Sequence, residues 1–172
     1  MRFIGIENAD RLIWDIRPNL SSWGKFSWRS RDRFGGTNNY YETLKKRDSG
    51  ARYARESPWR EYIPQRIIIK DLEGEGIPKV IINKNEFLTG SFFQRLRVYE
   101  TGAIYNLIWD ENMLTINWKT REIKGYIADY QIKDVDNDGE EELVVAVVAP
   151  EEDVSGLLSQ NPRSNILFFK LF

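Results

Sequence analysis

Two stretches of this chain align without gaps, and that alignment limits the architecture more than any other feature. Asp71-Leu72-Glu73-Gly74-Glu75-Gly76-Ile77-Pro78-Lys79-Val80-Ile81-Ile82 matches residues 134–145, which begin Asp134-Val135-Asp136-Asn137-Asp138-Gly139 and run on through Glu140, Glu141 and Glu142. Each is an acidic, alternating loop closed by a glycine and followed by a β-branched run. Each is also preceded by a strand-like stretch, residues 66–70 and 126–133. Two apolar runs joined by a short turn-forming segment specify a β-hairpin, so the chain carries the same hairpin twice.

Other elements recur in step. Leu12-Ile13-Trp14-Asp15 returns as Leu107-Ile108-Trp109-Asp110, and Trp28-Arg29-Ser30 returns downstream as Trp118-Lys119-Thr120. Residues 2–7, 95–100 and 165–170 share one aromatic strand type. Recurrence in one cyclic order reads as structural repetition. Sequential hairpins of this length form antiparallel meanders, and four-stranded units repeated radially are propeller blades. The expected fold is therefore all-β: antiparallel four-stranded blade-like repeats making a partial β-propeller of about two blades plus extra N-terminal strands. Residues 1–30 supply those strands and 31–62 a basic, aromatic insert. Residues 63–110 form a blade with a degenerate acidic loop, and 111–172 a blade with an intact one. The last blade lacks its fourth strand, while the N-terminus offers a spare third and fourth. Two blades cannot close a ring of four to eight. Such a chain is the tail of a longer polypeptide, assembles with itself or a partner, or folds its N-terminal strands back into a compact non-propeller domain.

Composition removes whole classes of chemistry. Cysteine and histidine are absent, which excludes disulfides, thiolate zinc sites, the serine–histidine triad and nearly all transition-metal centres. No apolar run approaches the roughly 18 residues of a membrane span. The start, Met1-Arg2-Phe3-Ile4-Gly5-Ile6-Glu7, lacks the pattern of a signal peptide.

What survives is oxygen chemistry at residues 134–142. Carboxylates stand at the first, third, fifth and ninth positions, with glycine at the sixth. Two like charges 4 Å apart repel by roughly 4 kcal/mol at an effective dielectric near 20. A hard cation turns that repulsion into coordination, since Ca²⁺ takes about six to eight oxygens. A solvated acidic turn that binds nothing is the alternative. An EF-hand is disfavoured, because its twelfth position would be Val145.

These residues resemble the FG-GAP/VCBS repeats of integrin α-subunit propellers and bacterial surface proteins, whose signature is Asp-x-Asp-x-Asp-Gly-x-x-(Asp/Glu)-Leu-Val. Residues 134–144 match it throughout. The resemblance implies that Asp134, Asp136, Asp138 and Glu142 ligate Ca²⁺ by side chain and Glu140 by its main-chain carbonyl. The earlier loop, with Asp71, Glu73 and Glu75, is the weaker second site. Its glutamates loosen the geometry, and Lys79 stands where Glu142 stands later, removing an oxygen and repelling a metal. That loop reads as a vestigial turn held by Lys79 and its acidic neighbours.

The insert combines arginines and lysines with Tyr40, Tyr41 and Trp59. Its simplest reading is a surface loop whose basic residues pair with the acidic half, residues 100–153; a protein partner comes next, and nucleic acid or a glycan last. Trp14, Trp28, Trp109 and Trp118 recur and so belong to packing, leaving Trp23 and Trp59 as contact candidates. No catalytic set is visible. The expected function is a non-enzymatic, calcium-binding scaffold or protein-interaction module, with a protein partner or self-association through sheet edges. The alternatives are a subunit of a surface assembly completed by another chain, and a glycan-active propeller enzyme. Calcium dependence would favour extracellular or periplasmic conditions.

Overall fold

The computed structural model describes residues 3–7, 11–15, 28–45, 57–87, 98–111, 113–149 and 163–171. Among these residues there is no helix; the strands pair antiparallel throughout, and none of the sheets closes. Among the described residues no helix is long and apolar enough to cross a membrane.

The N-terminal sheet consists of β1 (Phe3–Glu7), β2 (Arg11–Asp15) and β3 (Trp28–Arg29). A two-stranded ribbon follows, β4 (Tyr40–Lys45) with β5 (Ser57–Tyr62). The central sheet runs in the order β6 (Ile68–Lys70), β7 (Lys79–Phe87), β8 (Tyr99–Asp110). The far edge of β8 is shared by β9 (Met113–Lys119) and β10 (Ile123–Lys124). The last sheet is β11 (Tyr126–Lys133), β12 (Glu142–Ala149) and β13 (Arg163–Lys170), in that order.

The apolar run of β7 explains why it lies at the centre. Val80, Ile81 and Ile82 are at most 1% exposed, although successive side chains point to opposite faces. A strand buried on both sides reads as a continuous apolar run. On one face Val80 and Ile82 join Ala103, Tyr105, Leu107, Leu114 and Phe34. On the other, Ile81 and Ile104 meet Ile127, Tyr130, Leu143, Val145 and Val147 of the last sheet. Full burial of one such aliphatic side chain contributes about 1.5–3 kcal/mol, so this face-to-face contact is the main bond between the two sheets.

Polar groups fix how the sheets meet. A β-bulge between Ile127 and Asp129 interrupts the β11–β12 ladder. Interior amides answer the backbone groups it frees. Asn85 Oδ1 accepts from Ile127 N at 3.0 Å, and Asn85 Nδ2 donates to Ile127 O at 3.0 Å. Gln65 Nε2 donates to Ile127 O at 2.6 Å and to Ala128 O at 3.3 Å. Tyr130 donates its hydroxyl to the carbonyls of Arg66 and Ile81, reaching β7 from β11.

Three expectations change. The third and fourth strands expected over 95–100 and 107–110 are not separate where described, because Tyr99–Asp110 is one strand. Gly102 lies inside that strand. A Cβ on it would lie 2.5 Å from Asn85 Oδ1 and 2.8 Å from Ile127, so it permits close approach of the last sheet. Four strands, β6 to β9, follow one another as a meander within a five-stranded sheet that β10 joins. Second, the insert is not wholly a surface feature. Gly35 N donates to Asn83 O at 2.7 Å and Asn85 N to Gly35 O at 2.9 Å, so the strap covers the β7 edge beyond β6. Phe34 enters the core edge-on to Tyr105, and Thr37 is fully buried. Third, β1 pairs with β2 and β2 with β3, and neither pairs with β13 among the described residues. The Leu-Ile-Trp-Asp strand does sit beside the Trp-basic strand both times, in β2–β3 and in β8–β9.

Of the tryptophans, Trp109 and Trp118 pack against the cores. Trp23 lies outside the described residues, as do the side chains of Trp14, Trp28 and Trp59. Just beyond the insert, Arg66 bonds Asp129 of the acidic half at 2.7 Å. Arg60 instead bonds Glu42 at 3.1 Å inside the ribbon and lies over Tyr40.

Candidate metal site

The two acidic loops connect β6 to β7 and β11 to β12, and they coincide position by position. Lys70 pairs with Lys79 at the mouth of the first, as Lys133 pairs with Glu142 at the mouth of the second. Positive φ angles fall at matching places: Gly74 (70°) and Gly76 (78°) in one, Asn137 (61°) and Gly139 (92°) in the other. The first aspartate closes each turn. Asp71 Oδ2 accepts from Gly76 N at 2.6 Å, and Asp134 Oδ2 accepts from Gly139 N at 3.1 Å. Local chemistry explains this geometry. Glycine carries no Cβ penalty in the left-handed region, asparagine tolerates it, and aspartate readily bonds nearby backbone amides.

In the later loop Asp134, Asp136 and Asp138 each offer a carboxylate oxygen, all within 4.8 Å of one another. Asp136 Oδ1 accepts from Asp138 N at 3.3 Å and Asp138 Oδ1 from Glu140 N at 2.8 Å, which folds the chain around the trio. Glu142 is buried and accepts from Val135 N at 3.0 Å. Glu140 is exposed and meets the loop through its backbone amide. Asp134 Oδ1 is the revealing atom: it is buried and has no hydrogen-bond partner. A buried carboxylate oxygen without a donor is costly. A cation shared by the trio would satisfy it, and an all-oxygen donor set suits a hard ion.

The earlier loop is arranged differently. Lys79, buried at 4% exposure, forms an ion pair with Glu73, so an ammonium sits where the later loop has the Glu142 carboxylate. Among the described residues, Asp71, Glu73 and Glu75 form no metal-holding group like that of Asp134. Lys70 pairs with Glu141, linking the two loops, and a cavity of about 300 Å³ lined by Leu72, Glu141, Lys170 and Leu171 lies beside them.

One neighbour escaped the sequence reading. Lys170 Nζ lies 3.7 Å from Asp138 Oδ2 because β13 pairs Lys170 with Glu142. No local signal marks it; only the strand register places it there. Comparison with protein-family models, curated proteins and solved structures finds no match.

Proposed function

We propose that this chain is a non-enzymatic β-sheet scaffold or protein-interaction module stabilised by one Ca²⁺ in the loop at Asp134. The hairpins are read as repeats of FG-GAP/VCBS type, and the two packed sheets as partial propeller blades. The observation that carries the calcium reading is the buried, partnerless Asp134 Oδ1 within a three-carboxylate cluster. Asp134, Asp136, Asp138 and Glu142 would supply side-chain oxygens and Glu140 a main-chain one, which ties β11 to β12 at their shared turn. The role is structural, because the carboxylates are engaged in shaping their own loop.

Thermal unfolding in calcium and in chelator tests this. At ten times the dissociation constant, binding adds about 1.4 kcal/mol, which raises the midpoint by about 4 °C for a chain of this size. Asp136→Ala should unfold at the same temperature in both buffers. No calcium-dependent shift in the wild type, or an undiminished one in the variant, would sink the proposal.

A second reading, a subunit completed by another chain, is favoured by the exposed Ile166 and Phe168 on the last strand.

A further inference from the structure

We infer that Lys170 is a tethered counter-ion which calcium must displace from the loop at Asp134, so that this side chain sets how much calcium the loop requires. The inference rests on the calcium reading above and names the regulation of that site.

Strand register brings the lysine there. β12 pairs with β13 so that Glu142 stands opposite Lys170, and directly opposed residues share one face of a sheet. Glu142 is buried and engages its Oε2 with Val135 N at 3.0 Å. The lysine reaches past it, and its Nζ lies 3.7 Å from Asp138 Oδ2. That oxygen matters because each aspartate uses its two oxygens differently. Asp134 gives Oδ2 to Gly139 N and Asp138 gives Oδ1 to Glu140 N, contacts that shape the turn. Asp134 Oδ1 and Asp138 Oδ2 are left for a ligand. The first is buried without a partner, and the second faces the ammonium. An ion drawn to the trio therefore meets a positive charge already standing at one of its ligands.

The hairpin at Asp71 shows the limit of the same device. Its cation is Lys79, which stands at the position of Glu142, is 4% exposed and is locked in its pair with Glu73. Lys170 comes instead from the neighbouring strand, and its side chain is 66% exposed. Solvent screens such a pair, so Asp138 holds the ammonium by no more than about fivefold. A buried lysine replaces the ion; an exposed one competes with it and yields. The cavity of about 300 Å³ lined by Lys170, Glu140 and Leu171 gives the displaced ammonium room and another carboxylate to turn to. Binding then proceeds only where calcium is abundant enough to cover the cost of this exchange.

Titration of Ca²⁺ into the chelator-stripped chain at neutral pH, with thermal unfolding in chelator and in saturating calcium, tests the exchange. Lys170→Gln removes both the competing pair and the repulsion of the ion, and should bind calcium about three- to tenfold more tightly than the wild type. Lys170→Arg keeps the charge and should stay within about twofold of the wild type. Arg60→Gln removes the same charge from the β4–β5 ribbon, where Arg60 bonds Glu42, and should leave the affinity unchanged. Lys170→Gln should melt below the wild type in chelator, where the carboxylates have lost their counter-ion. In saturating calcium that deficit should close or reverse, because the tighter binding offsets it. Unchanged or weaker binding in Lys170→Gln, equal tightening by both Lys170 variants, or the same loss of stability in both buffers would overturn the inference and leave the calcium site standing. Calcium bound by none of the four chains would remove the calcium reading, and this inference with it.

Discussion

Position 79 distinguishes two otherwise coincident loops. A buried lysine there supplies a permanent cation to Glu73, whereas glutamate at the corresponding position 142 leaves the later loop with a surplus of negative charge. One loop is thus neutralised by its own side chain, and the proposed ion would do the same for the other. Tyr130 shows a different use of burial. It is 1% exposed and donates to Arg66 O and Ile81 O, and burial pushes its hydroxyl above the ordinary tyrosine range. Because the folded form holds this proton more tightly than the unfolded one, its stabilisation is complete below about pH 10 and is lost above it. Tyr130→Phe should cost about 1 kcal/mol at neutral pH. In urea titrations the gap between wild type and variant should narrow as pH rises through about 10 to 11. A gap that stays constant through that range would contradict the placement of this hydroxyl.

At the scale of elements, the hairpins were legible and the long strand was not. The acidic turns, their closing glycines and the β-branched runs after them are local signals, and the observed register follows the gapless alignment. The continuity of residues 99–110 was not legible, because nothing local says that the strand types at 95–100 and 107–110 join into one. Phe34 was missed as core for a related reason: it lies in a glycine-rich segment that has no strand period of its own. Lys170 was invisible because only cross-strand pairing brings it to Asp138. The close approach at position 102 is testable. Gly102→Ala should cost about 2–3 kcal/mol, since its methyl would displace Asn85 from Ile127. Gly74→Ala meets open space and bears only the positive φ, costing about 1 kcal/mol. Equal losses in chemical denaturation would mean the sheets do not meet at Gly102.

For the molecule as a whole, one relation recurs: a sheet presents two packing faces and needs something on each. The central sheet has the strap at Phe34 on one side and the last sheet on the other. The last sheet packs its inner side on the central sheet, while Ile166 and Phe168 of its last strand are exposed. The loop at Asp134 lies at the turn of that same sheet, so an ion bound there would tie β11 to β12. Isothermal titration of the chelator-stripped chain with Ca²⁺ tests the central claim most directly. One ion per chain is expected, with none bound by Asp136→Ala. Two ions would contradict the role given to Lys79, and none in the wild type would contradict the reading of the loop at Asp134.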